Sequence, residues 1–132
     1  MDAYYLDTSA LAKLAVPEPE TTALGELLAT PALWITSQLG RVEMMRAAMR
    51  NGLPPADALR VLDGIVTMAL TDDVYSLAGR LQPPLLRSLD AIHLAAALSL
   101  GADLTALITY DKRLADAATL NGLPVLAPTT TP

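Results

Sequence analysis

Short β-prone runs alternate with longer helix-prone stretches along this chain, and that alternation restricts it to a few architectures. Ala3 to Leu6, Leu33 to Thr36, Ile65 to Leu70, Ala106 to Thr109 and Val125 to Ala127 read as strands. Helices are expected from Thr8 to about Val16, Glu20 to Ala29, Ser37 to Arg50, Pro54 to Asp63, Thr71 to about Leu81, Leu89 to Leu100 and Asp111 to Leu120. The punctuation is strong. Pro17, Pro19, Pro31 and Gln82-Pro83-Pro84 break helices, and Asn51-Gly52, Gly101 and Asn121-Gly122 supply stops. Strands separated by helices need crossover connections, so the sheet is mostly parallel and the class is α/β.

Composition narrows the function. At 132 residues with 52% hydrophobic content the chain reads as one compact domain, 1–132. It has no cysteine, which excludes disulfides, thiolate metal sites and cysteine nucleophiles. The longest apolar stretch, Ala91 to Leu100, is too short to span a bilayer, and Asp2 and Asp7 interrupt the start where a leader would be apolar. A soluble cytoplasmic protein without membrane contact is therefore expected. The net charge of −5 repels nucleic acid, so binding of RNA or DNA would need local basic patches or bound metal. Phenylalanine is missing, and the excess of Ala and Leu in a small domain points to an interface with another copy or a partner.

Four acidic residues stand where acids are least expected, at the ends of apolar segments: Asp7, Glu43, Asp90 and Asp111. An unpaired buried carboxylate is costly, so such groups are paired, hydrogen-bonded or metal-bound. In open parallel sheets ligands bind beyond the carboxyl ends of the strands. Asp7 and Asp111 directly follow their strands, Glu43 lies on the helix after the second strand, and Asp90 is in the first turn of its helix. One edge of one sheet can gather all four into a pocket for a hard divalent cation. The alternative for Asp7, Asp90 and Asp111 is helix capping, and for Glu43 an ion pair with Arg46.

The runs Tyr5 to Leu11, Val42-Glu43, Leu89 to Ala95 and Thr109 to Leu114 resemble, in order and spacing, the signature blocks of PIN-domain nucleases. More closely they resemble VapC toxins, and the similarity extends to Gly122-Leu123-Pro124-Val125. The resemblance implies a three-layer α/β/α sandwich with a mostly parallel sheet of four or five strands. It implies a Mg²⁺-dependent endoribonuclease, with Mn²⁺ as a substitute, that cuts tRNA or rRNA and so arrests translation. It also implies a homodimer and a VapB-type antitoxin partner. The family's catalytic and metal-binding acids match Asp7, Glu43, Asp90 and Asp111. The chemistry agrees: phosphodiester hydrolysis needs an activated water and charge shielding, and carboxylate-held Mg²⁺ provides both.

Flanking residues have two readings each. Thr8, Ser9 and Thr109 could support the acids or RNA, or cap the backbone. Arg46, Arg50, Lys112 and Arg113 could meet phosphate or simply face water. Val42, Met45 and Met49 read as the buried stripe of their helix. His93, the only histidine, reads as a packed structural residue that could orient Asp90. Asp116 and Asp72-Asp73 read as solvated or capping acids. No serine elbow, P-loop or dinucleotide fingerprint occurs. Phosphatases with an acid after the first strand carry a second Asp two residues on, where Ser9 stands. Two further readings are a structure-specific DNA or RNA nuclease and an inactive RNA- or partner-binding module.

Overall fold

The computed structural model describes residues 1–129; the last positions of the 1–132 reading, 130–132, lie outside the described residues. Five parallel strands run in the order β3-β2-β1-β4-β5. They are β1 (Asp2–Leu6), β2 (Ala32–Ser37), β3 (Val66–Met68), β4 (Ala106–Ile108) and β5 (Val125–Leu126). The helices are α1 (Thr8–Ala15), α2 (Thr21–Leu28), α3 (Gln38–Arg50), α4 (Pro55–Asp63), α5 (Asp72–Ala78), α6 (Ser88–Ser99) and α7 (Lys112–Leu120). A single 3₁₀ turn, Gly101–Asp103, follows α6.

Period-two alternation on the central strand splits the core into two faces. Ala3 and Tyr5 of β1 pack with Leu94, Ala95, Leu107, Leu114 and Ala118, on the side of α5, α6 and α7. Tyr4 and Leu6 pack with Leu11, Leu24, Trp34, Met44, Leu62 and Ile108, on the side of α1 to α4. Tyr4 and Trp34 stack with ring centroids 4.9 Å apart. The result is the expected α/β/α sandwich, all parallel in its sheet.

Several local expectations need correction. The buried face of α3 is Gly40, Met44, Ala47 and Ala48, whereas Val42 and Met49 are exposed. Both sets have helical spacing, but Gly40, Ala47 and Ala48 are small enough to let α3 close onto its neighbours, and Met44 fills the core between them. The fifth helix ends at Ala78 rather than Leu81, and Ser88 is already helical, with Arg87 as the N-cap residue. The caps at Ser37 and Thr71 form as the sequence implies, accepting from Gly40 N at 3.2 Å and Val74 N at 3.3 Å. Gly122 takes φ +80°, which lets the chain reverse after α7 and feed β5.

Candidate active site at the carboxyl edge of the sheet

The chain leaves β1 into α1 on one face and leaves neighbouring β4 into α7 on the other. Loops diverge at that point, the place where ligands bind in open α/β sheets. Asp7 follows β1 and Asp111 follows β4, so both stand at this edge. Asp7 is the N-cap of α1 and Asp111 the N-cap of α7. The capping reading is thus geometrically real for both, and it also fixes their carboxylates.

Asp7 is almost fully buried and satisfied on both oxygens. Its Oδ1 accepts from the Ser9 hydroxyl at 2.7 Å and Ala10 N at 3.0 Å. Its Oδ2 accepts from the Thr109 hydroxyl at 2.6 Å. Thr109 Oγ1 in turn accepts from Asp111 N at 3.1 Å, so one threonine links the two acids. Burial raises the Asp7 carboxyl above its ordinary range, and the Thr109, Ser9 and Ala10 hydrogen bonds oppose that rise.

That shift sets a sign for stability. The folded state holds the Asp7 proton more tightly than the unfolded chain does. Its contribution is therefore most favourable below the ordinary value near 3.8, and it declines as pH rises through the elevated folded value. Acid titrations of melting temperature in EDTA should show this decline in the wild type and lose it in Asp7→Asn. An identical pH profile for the two proteins would refute it.

Glu43 points across the sheet edge from α3. Its Oε1 accepts from the Thr8 hydroxyl at 2.6 Å and lies 2.6 Å from His93 Nε2. His93 Nδ1 lies 2.8 Å from the Tyr5 hydroxyl, which is 2.9 Å from Ser37 Oγ. With Glu43 ionised, His93 Nε2–H donates to the carboxylate, while the Tyr5 hydroxyl donates its one proton to Ser37 Oγ. Burial raises the Glu43 carboxyl, but the His93 and Thr8 contacts outweigh it, and the net shift is downward. Burial drives the Tyr5 phenol far up, so Tyr5 stays protonated.

His93 is therefore packed, as expected, but it orients Glu43 rather than Asp90. The signal available in sequence was weak, because its partner lies on a helix across the sheet. Arg46 does not pair with Glu43: it is exposed, and its guanidinium approaches Met49 Sδ at 3.6 Å. Lys112 is also exposed. Neither contacts the four acids among the described residues.

Asp90 and Asp111 are joined by Arg87, which sequence reasoning missed. Its Nε donates to Asp90 Oδ2 at 3.1 Å and its Nη2 to Asp111 Oδ2 at 3.4 Å. A cleft of about 370 Å³ is lined by Glu43, Arg87, Ser88, Leu89 and Asp90. The four acids thus gather at one edge through shared neighbours. They do not converge as one cage: among the described residues no three His, Asp or Glu side chains are placed to hold a metal ion together. The physical reason is that each carboxylate is satisfied separately, by hydroxyls, by His93 or by Arg87. No buried side-chain N or O among the described residues lacks a partner.

The PIN domain family model matches residues 4–120. The chain belongs to the PIN-domain family. Ribonuclease VapC46 of Mycobacterium tuberculosis is 47% identical over 97% of this chain and 99% of its own length. Ribonuclease VapC47 of the same species is 49% identical over 83% of the chain and 85% of the relative. Solved PIN-like folds agree. The M. tuberculosis VapC20 toxin, described as cleaving the sarcin–ricin loop, superposes with TM-score 0.73 at 17% identity, covering 95% of this chain and 99% of that one. A toxin–antitoxin complex from Klebsiella pneumoniae gives 0.71 at 22% identity, covering 97% and 99%. The family resemblance drawn from the signature blocks and the α/β/α sandwich are both borne out.

Proposed function

We propose that this PIN domain, spanning 1–132, is a divalent-metal-dependent endoribonuclease toxin of VapC type, cutting tRNA or rRNA in the cytoplasm. A homodimer and a VapB-type antitoxin that covers the acidic edge complete the reading. The relatives' names support ribonuclease chemistry. One observation supports the site: Thr109 links Asp7 to Asp111, Arg87 bridges Asp111 and Asp90, and Glu43 lines a cleft with Asp90.

The donor set fits Mg²⁺ or Mn²⁺. All four groups offer oxygen, and Mg²⁺ keeps several waters, so one or two direct carboxylates suffice. Asp7, Glu43, Asp90 and Asp111 would hold the ion, and Arg87 marks where positive charge is accepted between Asp90 and Asp111. When bound, the ion would supply an activated water and shield charge developing on the phosphate.

The chain's own residues supply the rest. Ser9, Ala10 N and Thr109 hold Asp7 in one orientation. Thr8 and the Tyr5–His93 pair hold Glu43. Arg87 is largely exposed on its side chain, and once exchanged from the acids its planar fork suits a phosphate oxygen pair. Arg46 and Lys112 remain candidates for guiding RNA from the rim.

Labelled single-stranded RNA and DNA of matched sequence, incubated with Mg²⁺ or with EDTA, test the reading. Cleavage of RNA alone, stopped by EDTA and restored by Mn²⁺, is expected. Equal cutting of DNA would shift the assignment to a structure-specific nuclease. No turnover with any divalent ion would leave a binding module.

A further inference from the structure

A second groove adjoins the acidic edge. It has a volume of about 600 Å³ and runs between α7 and the segment entering α6. Its floor is aliphatic: Pro83, Leu85, Leu86, Ala117 and Leu120. Leu85 is 94% exposed and Leu120 65% exposed, so the groove displays apolar surface to solvent. Arg113, Asp116, Ala117 and Leu120 fall at i, i+3, i+4 and i+7, so one face of α7 makes the whole wall. Arg87 and Asp90 form the opposite rim, and both belong to the site above.

We infer that this groove is a nucleotide subsite that holds the base next to the scissile phosphate of a single-stranded RNA. The inference rests on the ribonuclease reading and specifies its substrate contact. Charge complementarity selects the occupant. The protein carries −5 overall and its reaction edge is acidic, so an RNA backbone needs local cations. Arg87 and Arg113 stand at the rim of the apolar floor, and guanidinium planes both take phosphate and stack on bases. The chain has few aromatics, and none of them lines the groove, so a base would lie against leucine and arginine. Asp116 at the rim is an acceptor only, and it matches the exocyclic amino group of a base such as cytosine. Uracil, with a carbonyl there, would be disfavoured.

Binding and cleavage separate this subsite from the function it rests on. Fluorescence anisotropy of a labelled single-stranded RNA in EDTA reads binding without turnover. Leu120→Glu and Arg113→Ala, both at exposed positions, should each weaken that binding by about tenfold, the scale of one lost base contact. With Mg²⁺, both should raise KM by a similar factor and leave kcat within about twofold of the wild type. Asp116→Asn should flatten a wild-type preference for cytosine over uracil beside the cut. Unchanged RNA affinity and an unchanged base preference in all three variants would overturn the subsite while leaving the nuclease intact. Loss of inhibition by a protein antitoxin without any change in RNA binding would overturn it too, and would make the groove a protein-docking surface. If no divalent ion gives cleavage but the variants still weaken binding, the ribonuclease reading fails and the RNA groove stands.

Discussion

Asp7→Asn should cut RNA at less than about a thousandth of the wild-type rate while melting at the same temperature or higher. The two halves of that expectation have separate causes. The carboxyl at position 7 is buried at the end of β1, and ionising it carries a desolvation cost that Ser9, Ala10 N and Thr109 only partly offset. Removing the charge removes that cost. Asparagine is also as good an N-cap as aspartate, so α1 keeps its start. Its oxygen can still accept from Ser9 and Ala10 N, and its amide can donate to Thr109 Oγ1. What is lost is the anionic oxygen that a hard divalent ion requires. Steady-state cleavage together with calorimetric melting in EDTA measures both halves. Retained activity would remove Asp7 from the site. Lost activity with a collapsed melting transition would make it a structural residue only.

The second large effect is expected at Gly40. A Cβ there would lie 2.0 Å from Thr36 Oγ1 and 3.3 Å from Thr36 Cβ. Thr36 is fully buried, and its hydroxyl donates to Leu6 O at 2.9 Å, so it cannot turn away without breaking that bond. Gly40→Ala should therefore cost about 2 kcal/mol, as overpacked core positions do. For a domain of this size that is about 8 °C in Tm. The substitution also pushes on the first turn of α3, three residues before Glu43, and the same Cβ approaches His93 Cε1 at 3.6 Å. Cleavage should fall with stability. Adding Thr36→Ala to Gly40→Ala should recover part of the loss, so the double variant is less destabilised than the sum of the singles by about 1 kcal/mol. Strict additivity, or a neutral Gly40→Ala, would show that α3 can shift freely and that its register is not set here.

Much of this was legible in the residues because local physics decides it. Proline and Asn-Gly pairs end helices wherever they stand, and an acid directly after a β-run is placed by the strand itself. The strands, the parallel sheet and the positions of Asp7 and Asp111 follow from such rules. The α3 stripe did not. Val42, Met45 and Met49 have the period of a buried face, yet only Met45 is partly buried; Gly40, Ala47 and Ala48 allow close approach and Met44 fills the core beneath them.

By itself, then, the order of residues determined an α/β chain with a mostly parallel sheet, four misplaced acids and a family pattern around them, since each depends on neighbours close in sequence. Only tertiary structure decided who holds those acids. Thr8 and His93 reach Glu43, Thr109 reaches Asp7, and Arg87 spans Asp90 and Asp111. Those pairings join elements from both faces of the sheet. Their partners are chosen by distance after packing, and by the electrostatic need to neutralise carboxylates crowded at one edge.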